Sequence, residues 1–146
     1  EKLGILGGST NVSEGALNAA DPQRQGKQGI ADSIQKHYEQ TMKAGHSFGN
    51  PDLVQYLTDH ALESVHWLES IGVKFKDEVG TATGALWQRS HYPATPSGNT
   101  YIRSFEKYIA AHGNDMKVYT DMDAVSLIQD KAGRVIGVIA KDNHTG

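Results

Sequence analysis

The sequence predicts an α+β domain with three main helices, a short strand and a C-terminal β-hairpin behind a glycine-rich N-terminal segment. Three observations carry this expectation. Apolar residues recur at helical spacing in three stretches between residues 29 and 112, and the pattern turns strand-like after residue 116. Between them, residues 77–100 follow neither period and hold Pro93 and Pro96, each of which pushes its predecessor towards extended backbone. Strands that come last, rather than alternating with helices, point to α+β and not to a self-contained βαβ fold. No internal repeat is present.

The first helix is expected from Gly29 to Gly45, with Ile30, Ile34, Tyr38 and Met42 on one face and Lys36, Glu39 and Lys43 on others. The second starts at Asn50-Pro51, where Asn50 caps and Pro51 takes the first helical position, whose N–H has no partner anyway. Val54, Leu57, Ala61, Val65 and Leu68 form its apolar stripe, and Gly72 after Ile71 supplies a left-handed end. Val73 to Phe75 reads as a short strand or extended piece, and residues 77–100 as a loop with room for one hairpin. Such a length is usually functional or covered by a partner. The third helix runs from about Thr100 to His112, with Ile102, Phe105 and Ile109 inward and Gly113-Asn114 ending it. Met116 to Tyr119 reads as a strand, and Ala124–Gln129 and Arg134–Ala140 as a hairpin closed by Asp130-Lys131-Ala132-Gly133.

A length of 146 residues suits one domain. The net charge of −3 gives no electrostatic footprint for a nucleic-acid backbone. The absence of cysteine excludes disulfides, thiolate catalysis and cysteine-held metals from this stretch and suits a cytoplasmic setting. No apolar run approaches the roughly 20 residues of a membrane helix.

The segment Gly7-Gly8-Ser9-Thr10-Asn11-Val12-Ser13-Glu14-Gly15-Ala16-Leu17-Asn18-Ala19-Ala20 carries the chemistry. Glycines and small hydroxyl residues expose backbone N–H groups and let the chain approach a pyrophosphate closely. A dinucleotide-binding βαβ unit places a glycine fingerprint at a helix N-terminus and an acidic residue roughly 20 positions on for the ribose hydroxyls. Glu1 stands where that acidic residue would, with no fingerprint before it. A linker would share the Gly-Gly-Ser-Thr composition, but not the interleaved Leu6, Val12 and Leu17.

Glu1-Lys2, Leu6-Gly7-Gly8-Ser9-Thr10 and Gly15-Ala16-Leu17-Asn18-Ala19-Ala20 together resemble the flavin-binding part of the soluble fumarate reductase and flavocytochrome c flavoproteins. The resemblance continues through Thr41-Met42-Lys43-Ala44-Gly45, Asn50-Pro51-Asp52-Leu53-Val54, Val65-His66-Trp67-Leu68, Arg89-Ser90-His91 and Lys131 to Val138. It implies FAD as cofactor, an unsaturated dicarboxylate as substrate, and a partial FAD-binding domain lacking its N-terminal βαβ unit. Residues 1–28 would be the flavin-contacting loop, flexible without cofactor, and residues 29–146 the folded module.

Residue by residue, the resemblance assigns Glu1 to the adenosine ribose, and Gly8, Ser9 and Thr10 to the pyrophosphate and flavin. Glu14, Gly15 and Ala16 would contact the isoalloxazine through backbone, and Ala124 the adenine. No catalytic residue and no metal ligand is assigned within these residues, so the stretch alone is expected to be inactive. Fumarate reduction is the first expected reaction of the parent. Urocanate or methacrylate reduction is the alternative, and an interaction module or a phosphate-ligand binder would be a different class. The electron donor stays open. Ser9, Ala16-Leu17 and His91-Tyr92-Pro93-Ala94-Thr95 depart from the family's usual residues and leave the substrate open too.

Histidines invite other readings. His60 and His66 are six apart on one helix, a spacing that does not place both on one metal-binding face. Ser90-His91 with Asp77 offers the residue types of a triad without the glycine elbow that a nucleophilic serine uses. His91 is read as a loop histidine bonded to backbone or as a substrate contact. Trp67 and Trp87 are read as core or interface aromatics.

Overall fold

The computed structural model describes residues 1–95, 97–113 and 115–145. Pro96 and Asn114, cited above as breakers, lie outside them. The elements run α1 Gly8–Asn11, β1 Leu17–Asn18, α2 Pro22–Lys27, α3 Ile34–Ala44, α4 Pro51–Ser70, β2 Ser90–His91, α5 Asn99–Ala111, β3 Met122–Gln129 and β4 Val135–Asp142. The class is mixed helix and strand, as the pattern predicts.

The second predicted helix forms as its signals dictate. Asn50 Oδ1 accepts from the backbone N–H of Asp52 (2.9 Å) and Leu53 (3.3 Å). At the other end Gly72 adopts φ +98°, where only glycine is free of Cβ strain. Its buried face is Thr58, Ala61, Val65 and Leu68, whereas Leu57 is 56 % exposed. Ala61, Val65 and Leu68 pack with Ala19, Val73, Phe75 and Tyr101 in the core.

Two expectations need correction and one resolves between its alternatives. The first helix starts at Ile34, five residues later than expected, because Gly29 takes a positive φ and Ser33 caps through its hydroxyl to the N–H of Lys36. Its buried residue is His37; Ile34 is 43 % exposed. Of the two readings of Val73–Phe75 the extended piece holds, joined to Pro93 through a single bridge at Phe75. Met116–Tyr119 runs extended without a ladder, and the Tyr119 carbonyl accepts from the N-terminal amine of Glu1.

Residues 77–95 pair with other parts of the chain more than their composition suggests. Ser90 and His91 pair antiparallel with Asn18 and Leu17, and Gly80 bridges to Ser90. The Gln28 side chain substitutes for a strand neighbour, donating to the Val79 carbonyl and accepting from the Val79 N–H. The β3–β4 hairpin closes on Asp130, whose Oδ1 accepts from the N–H of Ala132 and Arg134, with Gly133 at φ +81°. Among the described residues no helix is long and apolar enough to cross a membrane.

Candidate functional site

The flavin-contact candidates fall into two groups, and folding places each on a defined support. Gly8, Ser9 and Thr10 form the single turn α1. Gly7, at φ +107°, lets the chain enter that turn against Ile102 and Asn11, where a Cβ would meet side-chain atoms at 2.6 to 2.7 Å. Gly8 has open space where a side chain would stand, so its backbone is free to be approached. Ser9, Thr10, Glu14 and Ala16 are exposed.

Gly15 adopts φ +77°, and a Cβ there would lie 3.1 Å from the Gly98 backbone nitrogen and from the Tyr101 ring. The Tyr101 hydroxyl donates to the Gly15 carbonyl. Burial raises the Tyr101 phenol to about 12, so it stays a donor through the physiological range. One further close approach was not singled out in the sequence. Gly98 N–H donates to the Ser13 carbonyl (2.8 Å), and a Cβ at Gly98 would overlap the Thr10 carbonyl oxygen and Ser13 Oγ. The run 8–16 is thus seated on the N-terminal end of α5.

The second group is Glu1 with Ala124. The Glu1 carbonyl accepts from the Met122 N–H (2.9 Å), and Lys2 pairs with Asp123 at 3.7 Å. This places Glu1 beside the start of β3, two residues before Ala124, which pairs with Ala140. One Glu1 carboxylate oxygen accepts from Leu3 N–H (3.2 Å), which leaves the other for a ligand hydroxyl.

Behind these surfaces lies a buried ionic network. Asp21 caps α2, accepting from the N–H of Gln23 and Arg24 through Oδ1 and from Arg24 Nη1 (3.0 Å) through Oδ2. His91 Nε2 meets the same Oδ2 at 3.1 Å, and His91 Nδ1 lies 3.2 to 3.3 Å from the Arg89 and Leu17 carbonyls. Burial alone would raise the Asp21 carboxyl. Hydrogen bonds from the Arg24 N–H, His91, the Arg24 guanidinium and the Gln23 N–H override it and hold the group at about 2.

A second pair is closer still. Arg89 Nε and Nη2 contact Asp32 Oδ2 and Oδ1 at 2.8 and 2.7 Å. Gln25 Nε2 joins Asp32 (2.7 Å) and the Gln88 carbonyl (2.8 Å). His91 is therefore a core residue tying β1 to α2. Ser90 Oγ donates to Asn18 Oδ1 (2.6 Å), so the imagined triad with Asp77 does not assemble. His60 pairs with Glu63, and no metal-binding cluster occurs among the described residues.

Comparison with known proteins identifies the family. The family described as "FAD binding domain" matches residues 1–146. The chain belongs to the FAD-binding-domain family. FAD is its cofactor, and the glycine cradle at 7, 8 and 15 fits the close backbone approach such a ligand needs. The chain is 30 % identical over 146 residues to "Fumarate reductase (cytochrome)" of Shewanella frigidimarina, covering 100 % of this chain and 25 % of that protein. It is 33 % identical over 147 residues to "Urocanate reductase" of Eggerthella lenta, covering 100 % and 24 %. The open conformation of a flavocytochrome c3 fumarate reductase superposes with TM-score 0.86 at 28 % identity, over 99 % of this chain and 26 % of that one. The chain thus spans about a quarter of the length of these relatives.

The FAD-binding-domain chain carries one pH-sensitive element in its core. Burial, reinforced by the charge of Arg89 and partly offset by Asp32, lowers the His37 imidazole to about 4. Between about pH 6.5, the unfolded value, and 4 the unfolded chain binds a proton that the folded chain does not. Stability falls as pH falls through that window, by up to about 3 kcal/mol. Urea midpoints measured at intervals from pH 7 to 4 check this, and a His37→Gln variant is expected to lose most of the slope. An equally steep decline in that variant contradicts the assignment.

Proposed function

We propose that the chain is the flavin-holding part of a longer reductase acting on the double bond of an unsaturated carboxylate, with fumarate to succinate as the first reaction. The observation that carries this reading is the run 8–16. It is exposed, glycine-gated and fixed on α5 by Tyr101 and Gly98. In this proposal Gly8, Ser9 and Thr10 line the pyrophosphate and flavin, and Glu14, Gly15 and Ala16 pack at the isoalloxazine. Glu1 accepts from the ribose hydroxyls, and Ala124 meets adenine through its backbone. Once reduced by an electron donor, bound FAD would supply the hydride that adds to the β-carbon of the substrate. In this proposal the proton donor lies outside these residues.

Two further observations support a longer polypeptide. The hairpin exposes Val125, Leu127, Ile128, Val135, Ile136, Val138 and Ile139 at 42 to 64 %. A two-stranded ladder with apolar residues this exposed needs a covering layer. The relatives are about four times longer. Urocanate is the second substrate reading, favoured by the 33 % identity to a urocanate reductase.

The test is anaerobic. The flavin of the full-length polypeptide carrying these residues is photoreduced and mixed in turn with fumarate, urocanate and acrylate. Reoxidation by one of them with release of one equivalent of saturated acid is expected. A reduced flavin that persists with all three contradicts the reaction class.

A further inference from the structure

Among the buried side-chain nitrogens and oxygens of the described residues, three have no hydrogen-bond partner: His37 Nδ1, Gln40 Oε1 and Trp87 Nε1. Their residues all line one cavity of about 150 Å³ between α3 and the segment 84–89, with Asn18, Thr41 and Arg89 completing its polar wall. Buried polar groups in folded proteins are almost always paired, because an orphan loses its water without regaining a partner. Three at one cavity, none contributed by the flavin-contact residues, call for an occupant.

None of the neighbouring side chains bonds them. Thr41 Oγ1 donates to the His37 carbonyl (2.8 Å), Asn18 Oδ1 accepts from Ser90 (2.6 Å), and Arg89 is held by Asp32. Lys36 lays its ammonium on the face of the Trp87 ring, holding the indole in place.

The chemistry of the orphans selects the ligand. Trp87 Nε1 only donates and Gln40 Oε1 only accepts. His37 Nδ1 serves either way while its ring is neutral, which its lowered pKa secures above mildly acidic pH. A carboxylate offers acceptors alone and leaves Gln40 Oε1 unpaired as the amide is oriented; the Arg89 guanidinium is held by Asp32 and the Lys36 ammonium by the Trp87 ring face. An ammonium offers donors alone and leaves Trp87 unpaired. We propose that the cavity lined by His37, Gln40 and Trp87 is a binding site for a small neutral molecule presenting donor and acceptor together, of the primary-amide or azole class. The volume matches that of a cavity that takes a ring of about six non-hydrogen atoms. Asn18, His37 and Thr41 also line a neighbouring, more apolar cleft of about 580 Å³ that reaches Ala16 of the flavin-contact segment.

The experiment uses this chain carrying Trp67→Phe, so that emission reports Trp87 alone. Acetamide, imidazole and acetate are titrated separately at pH 8, where imidazole is neutral. Saturable changes are expected with acetamide and imidazole, with dissociation constants on the order of millimolar, and acetate is expected to bind at least tenfold more weakly. Gln40→Leu is expected to weaken acetamide binding about tenfold or more while leaving the thermal midpoint within a few degrees. No saturable change with either neutral probe, acetate binding as well as acetamide, or unaltered affinity in a folded Gln40→Leu protein would each overturn the proposal. A water-only cavity gives the first of these results.

Discussion

Asp32→Ala is expected to destabilise the chain by about 3–5 kcal/mol, the cost of breaking a buried ion pair by removing one partner. The side chains of Arg89 and Asp32 are 5 % and 2 % exposed, and their two contacts form a planar fork. Burial would raise the Asp32 carboxyl; the hydrogen bonds of Arg89 and Gln25 and the Ser33 N–H lower it instead. Truncation leaves a guanidinium without a counter-charge and a Gln25 donor with one partner fewer. Against a total stability of roughly 5–15 kcal/mol the loss brings the chain close to unfolding at room temperature.

The pair itself contributes little beyond what an apolar replacement would, because desolvating both ions offsets their attraction. The double variant Asp32→Leu with Arg89→Met is therefore expected to recover at least half of the loss. Urea denaturation of the two variants and the parent measures both numbers. A loss below about 1 kcal/mol for Asp32→Ala contradicts the buried-pair account.

The elements legible in the sequence are those whose signals are local. Asn50-Pro51 and Gly72 bracket α4 because capping and a left-handed end need only neighbouring residues. Asp130 to Gly133 closes the hairpin for the same reason. The stripe expected on α3 failed because propensity and spacing do not say which face meets the rest of the chain; the buried residue is a histidine under the charge of Arg89.

Most of the site's framework depends on partners far apart in sequence. Arg89 and Asp32 are separated by 57 positions and His91 and Asp21 by 70, so each reads in isolation as a surface charge or a loop histidine. The two-residue strands β1 and β2 are too short for a period, and exist only because they meet. Gly15 adopts a positive φ against the start of α5. Gly98 carries the matching constraint from the other side of the seam, and no neighbouring residue signals it.

The second large effect concerns FAD itself. The candidate contacts within these residues are one carboxylate at Glu1 and backbone groups at 8–10, 14–16 and 124. No G-x-G-x-x-G occurs in the sequence. Where such a fingerprint opens a helix, several N–H groups and the helix dipole hold the pyrophosphate. Charge-assisted hydrogen bonds of that kind contribute about 1.5–3 kcal/mol each, so a chain without two or three of them binds about a thousandfold more weakly or worse.

Titration of FAD, followed by flavin fluorescence, into the 146-residue chain and into the full-length polypeptide that carries it tests the central claim most directly. The account predicts stoichiometric binding by the longer polypeptide and binding at least about a thousandfold weaker by the 146 residues alone. It further predicts that Gly15→Val in the longer polypeptide weakens binding, since a branched side chain enters the seam with Gly98 and Tyr101. Tight stoichiometric binding by the 146 residues, or a longer polypeptide whose FAD affinity is untouched by Gly15→Val, would contradict it.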